Sequence, residues 1–67
     1  MKNPSKELAG EIEKFLSQTG MPPTAFGWAT VLDPRFVRDV REGRELRQRT
    51  RQKVSRYIRF ARQQWTK

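Results

Sequence analysis

The sequence predicts an all-α fold: one domain over residues 1–67, a compact bundle of about four to five short helices that contains a helix-turn-helix. Three observations carry this. Apolar residues recur at helical spacing in each segment. Gly and Pro stand between the segments, at Gly20, Pro22, Pro23, Pro34 and Gly43, where helices stop and start. No segment alternates apolar and polar residues as a half-buried strand would.

The first helix is expected over about 4–19. Asn3 is a good N-cap with Pro4 at the first helical position. Leu8, Ile12, Phe15 and Leu16 form one apolar stripe, and Lys6, Glu7, Glu13 and Lys14 lie off it. Gly20 accepts the left-handed conformation that ends a helix. Gly10 weakens the interior by about 1 kcal/mol relative to Ala. A second helix is expected over about 23–31, with Phe26 and Thr30 on one side and Gly27 beside them. A third is capped by Asp33, begins at Pro34 and runs to Glu42, with Gly43 as its stop. Val37 and Val40 face inward, while Arg35–Asp39 and Arg38–Glu42 form i, i+4 ion pairs outside. A basic loop over 44–49 follows, with Leu46 as a plug for the core. Thr50 then caps a last helix of roughly 15 residues. Its core face is Val54, Tyr57, Ile58, Ala61 and Trp65.

Size and composition set limits. A chain of 67 residues, 34% hydrophobic and 33% charged, buries only about 60% of its unfolded surface. Its core is thin, and a partner subunit would help to complete it. The absence of Cys and His excludes disulfides and thiolate metal sites, and removes the commonest general base. With no phosphate loop or acidic metal cluster either, the reading is of a protein that is not an enzyme and takes no cofactor, metal or small-molecule ligand. No stretch is apolar enough to span a bilayer, so a cytoplasmic location is expected.

The charge is unevenly placed. Residues 1–20 balance Lys2, Lys6 and Lys14 against Glu7, Glu11 and Glu13. Residues 21–43 balance Arg35, Arg38 and Arg41 against Asp33, Asp39 and Glu42. Residues 44–67 hold nine cations (seven Arg, with Lys53 and Lys67) against Glu45 alone, which supplies the whole net charge of +8. A neutral front and a strongly basic back fit a polyanion, and Arg grips phosphate through two hydrogen bonds at once.

A helix of about nine residues, a very short turn and a second helix is the plan of a helix-turn-helix. The motif needs a small residue where the helices cross and aliphatic residues inside the second. Gly27, Val37 and Val40 stand at that spacing. The strings Thr19-Gly20-Met21, Phe26-Gly27, Asp33-Pro34-Arg35-Phe36-Val37-Arg38-Asp39-Val40 and Gly43-Arg44 resemble the lambda-repressor-like (Cro/repressor, XRE-type) family, in particular its small bacterial and phage regulators. The resemblance covers about residues 8–60. It departs at Val31, where the family usually has Gly, so the turn must close by another route involving Leu32 and Asp33.

The resemblance implies sequence-specific binding of double-stranded DNA by a small transcriptional regulator, nucleoid-associated when bound. The helix over 34–42 would enter the major groove. Arg35 and Arg38 would read guanine, Asp39 would accept from cytosine, and Pro34 would offer an apolar contact. Pro23 and Thr24 would lie against phosphates, as would Arg44, Arg47, Arg49, Arg51 and Lys53. Phe60, Trp28 and Trp65 lie where a homodimer could form, with two recognition helices about 34 Å apart on a palindromic site. The competing reading of the paired charges is a solvated helix surface, and of the aromatics, core closure. Other classes are structured-RNA binding by the Arg-rich helix over 51–67, an interfacial helix on anionic lipid, and a protein-binding adaptor or antitoxin.

Overall fold

In the computed structural model, which describes residues 4–65 (only the backbone of Pro4 and Trp65), the chain is four α-helices joined by short connections. They are α1 (Pro4–Thr19), α2 (Pro23–Val31), α3 (Phe36–Arg41) and α4 (Gln48–Trp65). There is no strand among the described residues, and the all-helical bundle expected from the periodicity is the observed one. The Asn3 cap lies outside the described residues.

α1 follows the expected bounds. Its stripe of Leu8, Ile12, Phe15 and Leu16 is buried. Gly20 ends it at φ 73°, its N–H bonded to the Leu16 carbonyl. Thr19 tightens the exit: its hydroxyl donates to the Phe15 carbonyl and accepts from the Met21 N–H.

α1 packs on α3 and α4, and α2 packs on the same pair, so the core lies between two layers of two helices. Phe15 of α1, Phe26 of α2 and Tyr57 of α4 form an aromatic triangle with centroid separations of 5.6, 6.1 and 5.7 Å. The rings meet tilted or edge-on, the arrangement their quadrupoles favour. Val54, Ile58 and Ala61 complete the floor from α4. Leu46 plugs the core as expected, and its buried N–H donates to the Ser5 hydroxyl at 3.0 Å, tying the last connection to the start of α1.

The third helix begins later than its sequence signals indicate. The Phe36 N–H bonds to the Asp33 carbonyl at 3.1 Å, and Arg35 sits at φ −93°, ψ 0°. That is a type I turn with Asp first and Pro second, both favoured there. The Asp33 side chain accepts from the Arg35 N–H at 2.9 Å. Asp33 and Pro34 therefore build a turn, and α3 proper is the six residues Phe36–Arg41. It ends in a Schellman arrangement: Arg44 N–H to the Asp39 carbonyl, Gly43 N–H to the Val40 carbonyl, and Gly43 at φ 96°. Phe36 is buried alongside Val37 and Val40, a core contribution the inward pair of valines did not announce.

The last helix begins earlier than its sequence signals indicate. It starts at Gln48, so Thr50 lies in its first turn and is not its cap. The Arg51 N–H already bonds to the Arg47 carbonyl at 2.9 Å. Nothing after Gly43 breaks a helix, and Gln and Arg are good helix formers, so the coil propagates back to the point where Leu46 must turn inward. The basic loop is correspondingly shorter, over 44–47.

Candidate nucleic-acid interface

The candidate site is assembled at the connection between α2 and α3. α2 ends on Leu32, a left-handed residue at φ 57°, ψ 36°. An L-residue with a side chain pays about 1–2 kcal/mol for that conformation. Its N–H and that of Asp33 both turn back onto the Gly27 carbonyl, the latter at 3.2 Å. This is the route by which the turn closes with Val31 in place of Gly. Gly27 itself is buried, and a Cβ there would lie 2.1 Å from the Asp33 carbonyl oxygen and 3.4 Å from the Phe36 Cβ. The closest approach of the two helices therefore depends on that missing methyl group. Thr30 satisfies its buried hydroxyl on the Phe26 carbonyl at 2.8 Å.

The turn fixes what α3 shows to solvent. With Phe36, Val37 and Val40 inward, Arg35, Arg38, Arg41 and Glu42 are exposed and Asp39 and Pro34 are half-buried. The expected Arg38–Glu42 pair forms at 3.5 Å on a fully wetted face. The expected Arg35–Asp39 pair does not form. Asp39 instead takes the Arg44 guanidinium at 3.0 Å, because the Schellman turn brings Arg44 back over α3. Arg35 is left without a side-chain partner among the described residues. Arg41 reaches across to α1 and grips Glu13 through two bonds, at 2.6 and 3.0 Å. Glu13 is thus not a purely solvated residue of the first helix. Its carboxyl is held below the usual carboxylate range, chiefly by Arg41's hydrogen bonds, with slight burial opposing.

The basic segment borders this face. An open cleft of about 470 Å³ separates the turn from the start of α4, and Asp33, Phe36, Arg44, Arg47 and Thr50 are among its walls. The cations singled out for phosphates divide into three groups. Arg47, Arg49 and Lys53 are exposed and make no ion pair or side-chain hydrogen bond among the described residues. Arg44 is committed to Asp39. Arg51 is half-buried and donates to the Leu46 carbonyl at 2.6 Å, and it also faces a groove shared with Glu7 and Glu11 of α1. Thr24 is exposed in the first turn of α2, beside the half-buried Pro23.

Three of the chain's seven acids are thus held at the front, while Glu7, Glu11 and Glu45 stay exposed. Glu13, Asp39 and Glu42 pair with Arg41, Arg44 and Arg38, so none of these three pairs uses a cation of α4. Arg49, Lys53 and Arg56 occupy one outward face of α4 at i, i+4 and i+7, with Phe60, 60% exposed, next along it at i+11. Trp28 is exposed on α2, while the side chain of Trp65 lies outside the described residues. Leu32, which the sequence did not mark as a surface feature, is more exposed than either aromatic, at 77%. No helix among the described residues is long and apolar enough to cross a membrane. No family model matches the chain, and neither does any curated protein or solved structure.

Proposed function

We propose that this chain is a sequence-specific double-stranded DNA-binding module, a small transcriptional regulator that presents Arg35 and Arg38 to base edges. Arg47, Arg49 and Lys53 hold the flanking phosphates. The observation that carries the reading is the set of cations without side-chain partners among the described residues: Arg35 before α3, Arg47 on the wall of the cleft, and Arg49 and Lys53 in the first turns of α4. A basic face that merely solubilises the chain would gain by pairing with the acids nearby. Asp39 acts here by holding Arg44 over α3, and gives up that pair if it turns to a cytosine. Two copies on a palindromic site suit so small a reader, because a single short helix covers few base pairs.

Selection of bound duplexes from a random pool, followed by titration at several salt concentrations, tests the reading. Arg47→Ala or Arg49→Ala weakens binding to every sequence and lowers the salt slope by about 1 per lost phosphate contact. An unchanged slope in both variants contradicts the phosphate role.

Phe60 favours a second reading. It is an exposed aromatic on the same face as Arg49, Lys53 and Arg56, as in surfaces that stack a base while holding a backbone. Structured RNA would then lie along α4. Binding of RNA hairpins in preference to duplex DNA at matched salt, lost in Phe60→Ala, would favour it over the DNA reading.

A further inference from the structure

α2 is apolar on both sides. Phe26, Gly27 and Thr30 face the core. On the opposite side Ala25, Trp28 and Ala29 recur at i, i+3 and i+4, and Leu32, the left-handed residue that ends the helix, follows them. Ala25 is half-buried, but nothing among the described residues covers the rest: Ala29 is exposed, and Trp28 is 53% and Leu32 77% exposed. Between Pro22 and Leu32 there is no charged residue, in a chain that is one-third charged. A helix that is apolar all round is ordinarily buried on all sides.

We propose that this outer face of α2 is a self-association surface and that its occupant is the same face of a second copy of the chain. Charge selects the occupant. A polyanion is drawn to residues 44–67, which hold the whole excess of +8, and finds no cation on this stripe. Two copies meeting along α4 would set Arg49, Lys53, Arg56 and Arg59 against their own duplicates, and like charges across an interface are strongly unfavourable. Along α2 they meet with no charge on either side. Shape points the same way. A two-fold contact must be complementary to itself, and this stripe carries its knobs and its recesses together. Each large side chain, Trp28 or Leu32, has an alanine three residues before it, Ala25 or Ala29, to receive its counterpart from the other copy.

The same reasoning separates the three aromatics grouped by the sequence. Trp28 belongs with Leu32 at the interface. Phe60 does not, because it shares its face of α4 with cations. With two large anchors and two alanines, the contact falls below the roughly 800 Å² per partner of a standard interface. The dimer is accordingly weak, and adjacent half-sites on one DNA would raise the effective concentration to about the millimolar range. The proposal itself does not rest on the DNA reading, and its test uses no nucleic acid.

The experiment is sedimentation equilibrium of the full chain from about 5 μM to 1 mM, at low and high salt. The apparent mass should rise from 8.0 kDa toward twice that value and stop there. Added salt should strengthen the association, since it screens the repulsion between the basic segments. Trp28→Glu and Ala29→Glu, both on exposed positions and checked for helicity by circular dichroism, should each stay monomeric throughout. Phe60→Glu should associate like the parent. A parent that remains monomeric at 1 mM overturns the proposal. So does association that survives both α2 substitutions, or that is lost only in Phe60→Glu.

Discussion

Replacing Gly27 with Ala should damage this fold even though alanine is the better helix former. The added Cβ would lie 2.1 Å from the Asp33 carbonyl oxygen, so the turn must retreat by at least about 1.3 Å to reach ordinary contact. That oxygen is held by the Phe36 N–H at 3.1 Å, and Asp33 is tied in turn to the Gly27 carbonyl at 3.2 Å. Losing both bonds costs about 1 kcal/mol each. Displacing Phe36 from its place in the core adds about 1–3 kcal/mol, as overpacking usually does. Helix propensity returns about 1 kcal/mol. The net is about 2–4 kcal/mol, or a fall in Tm of roughly 10–30 °C for a domain of this size. Gly10→Ala is the matched control. It lies within α1 with nothing within 4 Å of the added methyl group, so it should gain about 0.5–1 kcal/mol. Thermal melts of the two variants by circular dichroism should therefore move in opposite directions. A Gly27→Ala protein that melts at or above the parent's temperature would refute the close crossing of α2 and α3.

Two further substitutions probe the turn and the tie between α1 and α3. Leu32→Gly relieves a left-handed residue with little burial, so the isolated fold should gain about 0.5–1 kcal/mol in urea melts while self-association weakens. Arg41's hydrogen bonds lower the Glu13 pKa in the folded state, so this pair stabilises the fold above the unfolded carboxyl's value, about 4.3, and the contribution is lost as pH falls through the folded value. Glu13→Gln should therefore be the less stable protein at pH 7 and should converge with the parent as pH falls through the folded carboxyl's value. A difference that stays constant with pH would place the effect of Glu13 elsewhere.

The elements were legible where local chemistry decides them. The stripe of α1, its stop at Gly20, the bounds of α2 and the role of Gly27 as the small residue beside the crossing all follow from spacing and from glycine's freedom. The boundaries of α3 and α4 were not, because cap residues compete with other local options. Asp33 and Pro34 suit a type I turn as well as a helix start, and the hydrogen bonds of the turn prevail. Thr50 is a good cap, yet Gln48 and Arg49 continue the helix past it. Long-range choices were also hidden. Glu13 and Arg41 lie 28 residues apart, and Asp39 had Arg35 at helical distance but takes Arg44 because the Schellman turn delivers it. Leu32 gave no sign of a left-handed backbone, which in sequence is usually marked by Gly or Asn. The basic character of the site was plain, but not its division into paired Arg44, backbone-bound Arg51 and unpaired Arg47, Arg49 and Lys53.

The central claim is that α3 and the turn before it read base edges. It is tested most directly by comparing the parent with Arg35→Ala and Arg38→Ala on the selected duplex and on a scrambled one, at fixed salt. The account predicts that each variant loses about 1–3 kcal/mol of discrimination while keeping most of its affinity for the scrambled duplex. Equal weakening on both duplexes, or a parent with no preference between them, would contradict it.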